Sequence, residues 1–145
     1  MDLALALQNA HWLQVVVATI ITFALGSIWY SPILFIRPWL AGQGKTLEGV
    51  KAEMANGKKM SPAPFIISII LIFLYTLGLD IFFSGTVLVG AMGALWGALI
   101  GLLFGATALG INYAYEQKPL SFFFINAGYH VAGFAIAGLV LGLWR

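Results

Sequence analysis

Three stretches without charge decide what this chain can fold into. Asp, Glu, Lys and Arg are absent from Leu3 to Ile36 and from Leu120 to Trp144, and between Met60 and Tyr115 only Asp80 breaks the run. A helix needs about 20 apolar residues to cross a hydrocarbon layer ~30 Å thick, at a rise of ~1.5 Å per residue. The first and last stretches therefore hold one crossing each. The middle stretch holds two, with Phe83-Ser84-Gly85-Thr86 as the turn between them. The expected spans are residues 10–31, 64–83, 87–112 and 120–143, in one integral membrane domain covering 1–145. Only 8% of residues are charged, against about 25% in soluble domains, too few to cover a water-facing surface. The expected fold class is all-α: a four-span transmembrane helical bundle.

Several functions are excluded at this level. The net charge is +2, and the basic residues form no face interleaved with aromatics, so nucleic acid is not an expected partner. Gly44-Lys45-Thr46 resembles the end of a phosphate-binding loop, but Trp39 stands where that loop needs its first glycine, so no nucleotide is expected. The chain has no cysteine, which removes thiolate metal sites, Cys nucleophiles and Cys lipidation. His11 and His130 fall at different expected depths, so no metal and no cofactor are expected. The first apolar run lacks a basic lead and is too long for a cleaved signal, so it reads as a span.

Lys and Arg fix the expected orientation. Arg37, Lys45, Lys51, Lys58, Lys59 and Lys118 lie in the connections between spans 1 and 2 and between spans 3 and 4, against Arg145 on the other side. Both connections should face the cytoplasm, in a bacterial inner membrane, with both termini outside. At the cytoplasmic end of span 1, Trp29, Tyr30, Ser31 and Pro32 end the helix, and Trp39 follows Arg37-Pro38. Rings that are apolar with one polar atom suit the headgroup layer, and proline disfavours helix at the residue before it. The segment reads as an interface anchor. Beyond it, Thr46 as N-cap, Gly57 as terminator and an apolar stripe of Leu47, Val50 and Met54 predict an interfacial helix over residues 46–56.

Leu25-Gly26 leading into Trp29-Tyr30-Ser31-Pro32, then Trp39, a short polar helix and three further Gly-rich spans, resembles a family of small bacterial integral membrane proteins of unknown function. The resemblance covers nearly the whole chain. It implies four spans and a bacterial cytoplasmic membrane, and it carries over no functional residues.

Gly93, Gly97, Gly101 and Gly105 repeat every four residues. That spacing keeps them near one face of span 3, drifting about 40° per step, and lets another backbone approach closely. The partner is span 1, span 4 or a second copy; span 1 offers Ala18, Thr22 and Gly26, span 4 offers Gly133, Ala137 and Gly138. Asn126 and His130 lie four apart on span 4, at depths near Thr22 and Tyr75. These four form a candidate buried polar cluster, either a proton or small-molecule site or a satisfied packing contact. Asp80 sits at the outer end of span 2, as an interface ion pair or a cation entry. Trp96 lies too deep for an interface anchor and is expected to face protein. No nucleophile–base pair or carboxylate pair marks an enzyme. The leading expectation is a bundle that associates with a second copy or another membrane protein, within the lipid bilayer. The alternative is a subunit of a small oligomeric transporter or channel for a small solute or ion, whose polar stripes here thin out along the spans.

Overall fold

The computed structural model describes residues 3–86 and 90–144. It contains α1 (Leu3–Gln8), α2 (Trp12–Trp29), α3 (Ile36–Ala41), α4 (Leu47–Ala55), α5 (Ala63–Phe83), α6 (Ala91–Ile100), a π-helical segment (Gly101–Ala106), α7 (Thr107–Tyr115) and α8 (Leu120–Leu143). No strand occurs among the described residues. Trp12–Trp29, Ala63–Phe83, Ala91–Tyr115 and Leu120–Leu143 are each long and apolar enough to cross a membrane. This is the architecture of a multi-pass membrane protein. The expected start of the third span at Val87 lies outside the described residues. We term the end carrying α3, α4 and the 116–119 turn the strap end, and the end where α5 stops at Phe83 and α6 starts at Ala91 the hairpin end.

α8 is the hub. It packs on α6 with the π segment, on α2 and, less extensively, on α5, α7 and α3. α5 leans mainly on α2, through Ile72, Thr76, Leu79, Asp80 and Phe83, all in its hairpin-end half. Residues 63–71, its strap-end half, are exposed on every side. The core cluster of Val15, Ala18, Leu79, Phe83, Ala137 and Leu141 is correspondingly shifted to the hairpin end.

The glycine ladder meets α8 of the same chain. A Cβ on Gly93 would strike the carbonyl oxygen of Gly138, one on Gly138 would strike that of Gly93, and one on Gly97 would strike that of Phe134. The hydrogens that occupy those directions point at the carbonyls, giving reciprocal Cα–H···O contacts across a backbone-on-backbone seam. The Gly90 amide donates to the Gly142 carbonyl at 2.7 Å and closes the seam at the hairpin end. Gly105 departs from the pattern: a Cβ there would rest 3.6 Å from the His130 Cβ, an ordinary contact. A four-residue repeat overshoots a full α-turn by about 40°, so the ladder drifts around the helix and its last member no longer presses on α8; the π segment begins at Gly101, within the ladder.

Trp96 does not face the bundle. It is 41% exposed, because the Gly97 face is turned to α8 and the preceding residue lies about 100° around the helix.

The strap folds back onto α8. Phe35 N–H donates to the Trp29 carbonyl at 3.1 Å, and Ser31 Oγ accepts from Ile33 N–H at 3.2 Å, so the chain turns where Pro32 ends the helix. Leu40 of α3 is buried, and a Cβ on Gly42 would lie 2.7 Å from the Phe122 Cβ, so the chain after α3 is flush with the start of α8. Thr46 Oγ1 accepts from Gly49 N–H at 3.1 Å and caps α4, which touches the remainder mainly through α3.

Candidate functional site: a polar seam along the bundle

The buried face of α2 carries Val15, Ala18, Thr19 and Thr22, and that of α5 carries Ile72, Thr76, Leu79, Asp80 and Phe83. Helical periodicity therefore aims the few polar residues of both spans at each other. At the hairpin end Asp80 is 1% exposed. Its Oδ2 accepts the backbone N–H of His11 at 2.9 Å, and its Oδ1 lies 3.1 Å from His11 Nδ1. His11 precedes the first turn of α2, so the carboxylate also meets the positive end of that helix. The sequence places Asp80 at the outer end of span 2; the structure buries it there against His11. Arg145, expected on the same side, lies outside the described residues.

One turn deeper, Thr76 Oγ1 and Thr19 Oγ1 are 2.8 Å apart. Thr19 Oγ1 can also donate to the Val15 carbonyl at 2.7 Å, and Thr76 Oγ1 to the Phe73 carbonyl at 2.9 Å. Two hydroxyl hydrogens serve three short contacts, so the link between the threonines can run in either direction.

Deeper still, Thr22 is fully buried and its Oγ1 makes no hydrogen bond of good geometry among the described residues. Thr22 and the Tyr75 hydroxyl flank Gly133, where a Cβ would lie 3.1 Å from the Thr22 Cγ2 and from the Tyr75 Oη. The Tyr75 hydroxyl is a close neighbour of Thr22, outside hydrogen-bond geometry. The Tyr75 ring stacks on Phe134, centroids 4.3 Å apart. Toward the strap end the Tyr129 hydroxyl rests over Gly26, 3.0 Å from where a Cβ would be, and its ring meets Tyr30 edge-on at 5.3 Å. Tyr30 Oη donates to Asn126 Oδ1 at 2.9 Å, and Asn126 Nδ2 donates to the Phe122 carbonyl at 2.9 Å. Trp29 Nε1 donates to the Ile125 carbonyl at 3.0 Å. Trp39 packs on Tyr30 at 5.3 Å. Trp29, Tyr30 and Trp39 thus tie the end of α2 to α8 and the strap.

Of the four residues of the candidate cluster, the structure brings Thr22 and Tyr75 together over Gly133. Asn126 lies further toward the strap end with Tyr30. His130 is turned toward α6 and the π segment: its backbone carbonyl and Cβ abut the Gly101 and Gly105 positions, and its ring meets Tyr129 at 5.5 Å. Three residues separate His130 from Gly133, which leaves them about 60° apart around the helix. The His130 ring makes no hydrogen bond among the described residues. Thr19, Thr76, Tyr129 and Tyr30 complete the seam. The helical spacing of Val15, Ala18, Thr19 and Thr22 was the signal for the first; nothing local marks Tyr129.

The polar groups therefore do not thin out. Between His11 and Tyr30 on α2 the seam runs about 28 Å at ~1.5 Å per residue, close to the ~30 Å hydrocarbon thickness. Among the described residues no three His, Cys, Asp or Glu gather as metal ligands.

No curated protein and no solved structure matches the chain. A family model described as "Protein of unknown function (DUF1761)" matches residues 13–142, nearly the whole length, and the chain belongs to that family.

Proposed function

We propose that the protein carries protons across its membrane along the seam between α2, α5 and α8. The observation that supports this reading most is the succession Asp80, Thr76–Thr19, Thr22–Tyr75, Tyr129, Tyr30–Asn126 from one end of the spans to the other. The seam is close-packed, so a hydrated solute does not fit, whereas a proton needs only oriented hydroxyls and no pore. A single chain then suffices. Asp80 is the acceptor at one mouth, and the threonine pair, with its two directions, is the first relay. In this reading the Lys-rich strap faces the cytoplasm and Asp80 faces outside, in a bacterial inner membrane.

The test is acidification of proteoliposomes loaded with a pH dye under a potassium diffusion potential. Wild-type vesicles are expected to acidify well above protein-free ones, and Asp80→Asn, which keeps an oxygen for the His11 amide, to lose at least ~10-fold of that rate. Equal rates for wild type and empty vesicles, or for wild type and Asp80→Asn, reject the reading.

A second reading, association with a copy of the chain, is favoured by one observation. The glycine ladder is occupied within the chain, but residues 63–71 of α5 have no face covered.

A further inference from the structure

α5 and α6 follow one another in sequence yet scarcely touch. Between them runs a groove of about 520 Å³ that opens sideways. Leu79 and Phe82 form one wall, Leu99 and Leu103 the other, and Phe134 of α8 the floor. The Tyr75 ring completes the floor while its hydroxyl is turned into the polar seam beside Gly133. The groove is therefore apolar throughout its length. Trp96 supplies the only side-chain N–H among the lining residues, and that N–H makes no hydrogen bond among the described residues.

From these contacts we infer that the groove holds one acyl chain of a membrane glycerolipid, its ester carbonyl accepting the Trp96 N–H. Three features select this occupant. The groove follows α6 and the π segment from Trp96 to Phe104, about 12 Å at ~1.5 Å per residue, close to half of a ~30 Å core and so to one leaflet. The span Ala91–Tyr115 has 25 residues; centred in that core, it places the Trp96 backbone only about 4 to 5 Å inside the hydrocarbon edge, shallower than the sequence suggests and within side-chain reach of the lipid carbonyls at that edge. An indole N–H in hydrocarbon is unfavourable without an acceptor, and a lipid ester is the acceptor available there. The chain would fill the gap that α5 and α6 leave. The site is independent of proton movement.

The test uses native mass spectrometry of the full chain released from vesicles of phosphatidylethanolamine. Wild type is expected to keep one phospholipid per chain. Gly78 borders the groove and a Cβ there meets nothing within 4 Å, so Gly78→Phe fills the groove without displacing protein. That variant should lose at least ~10-fold of the retained lipid at an unchanged melting temperature, and Trp96→Phe about fivefold, the loss of one hydrogen bond. Equal retention in wild type and both variants overturns the inference. So does a lipid-free wild-type chain, or one that leaves the vesicles as a lipid-free dimer.

Discussion

Buried polar atoms in hydrocarbon have few alternatives to one another, and four residues show the consequences. Asp80, Thr76 and Asn126 are all within 8% of full burial and all hydrogen-bonded; Thr22 is equally buried, and among the described residues its hydroxyl has only the poorly aligned Tyr75 hydroxyl beside it. The unmade bond should be visible as a sign difference. Thr22→Val replaces that hydroxyl with a methyl of similar shape, so it should leave stability unchanged or raise it by up to about 1 kcal/mol. Asn126→Leu strands the Tyr30 hydroxyl and should lower stability by about 1–3 kcal/mol. Thermal unfolding in detergent reads both; a destabilised Thr22→Val would mean the hydroxyl is satisfied in the folded protein. Proton flux separates the roles further, since Thr22→Val should slow transport while holding or gaining stability. At this scale the sequence was informative through scarcity: Asp80, Asn126, His130, Tyr75 and Thr22 are conspicuous because so little around them is polar. Their pairing was not legible. It depends on helix rotation, and the 60° that separates His130 from Gly133 is enough to send it to a different neighbour.

Within an element, equal spacing conceals unequal roles. Gly93, Gly97, Gly101 and Gly105 look alike in sequence, yet the first three press on backbone or Cβ atoms of α8 and the fourth has room. The overshoot of about 40° per step carries the fourth off the seam, and the π segment that starts at Gly101 is announced by no residue between Gly101 and Ala106. Periodicity could find the ladder and could not choose between α2, α8 and another chain, because all three offer small residues. The difference among the glycines can be measured. Gly97→Ala must push α6 from the Phe134 carbonyl and should cost about 1–3 kcal/mol, the usual range for overpacking. Gly105→Ala introduces a methyl at an ordinary contact distance and should fall within about 0.5 kcal/mol of wild type. Unfolding in mixed micelles gives both values. Matching losses at the two positions would contradict the unequal contacts of the ladder with α8.

For the whole molecule, the gaps between charges were sufficient to read four crossings, because water excludes long apolar runs and lipid excludes charge. They could not reveal that the bundle is lopsided. In a soluble helix the buried face is apolar and the outer face polar, and periodicity separates them. In hydrocarbon both faces are apolar, so the strap-end half of α5, Pro64-Phe65-Ile66-Ile67-Ser68-Ile69-Ile70-Leu71, looks no different from its packed half. Lipid can cover that half, or a second copy can. If a copy does, Ile66 and Ile70 lie four apart on one face, and cysteine placed at either should bridge two chains. The protein lacks native cysteine, so each single substitution gives an unambiguous product. Oxidised in native membranes, Ile66→Cys or Ile70→Cys should give a dimer band on a non-reducing gel, whereas Ile20→Cys, 62% exposed on α2, should not. Dimer at all three positions would reflect random collision. Monomer at all three would leave α5 to lipid and remove the only observation that favours self-association, since the glycine seam is already closed within one chain.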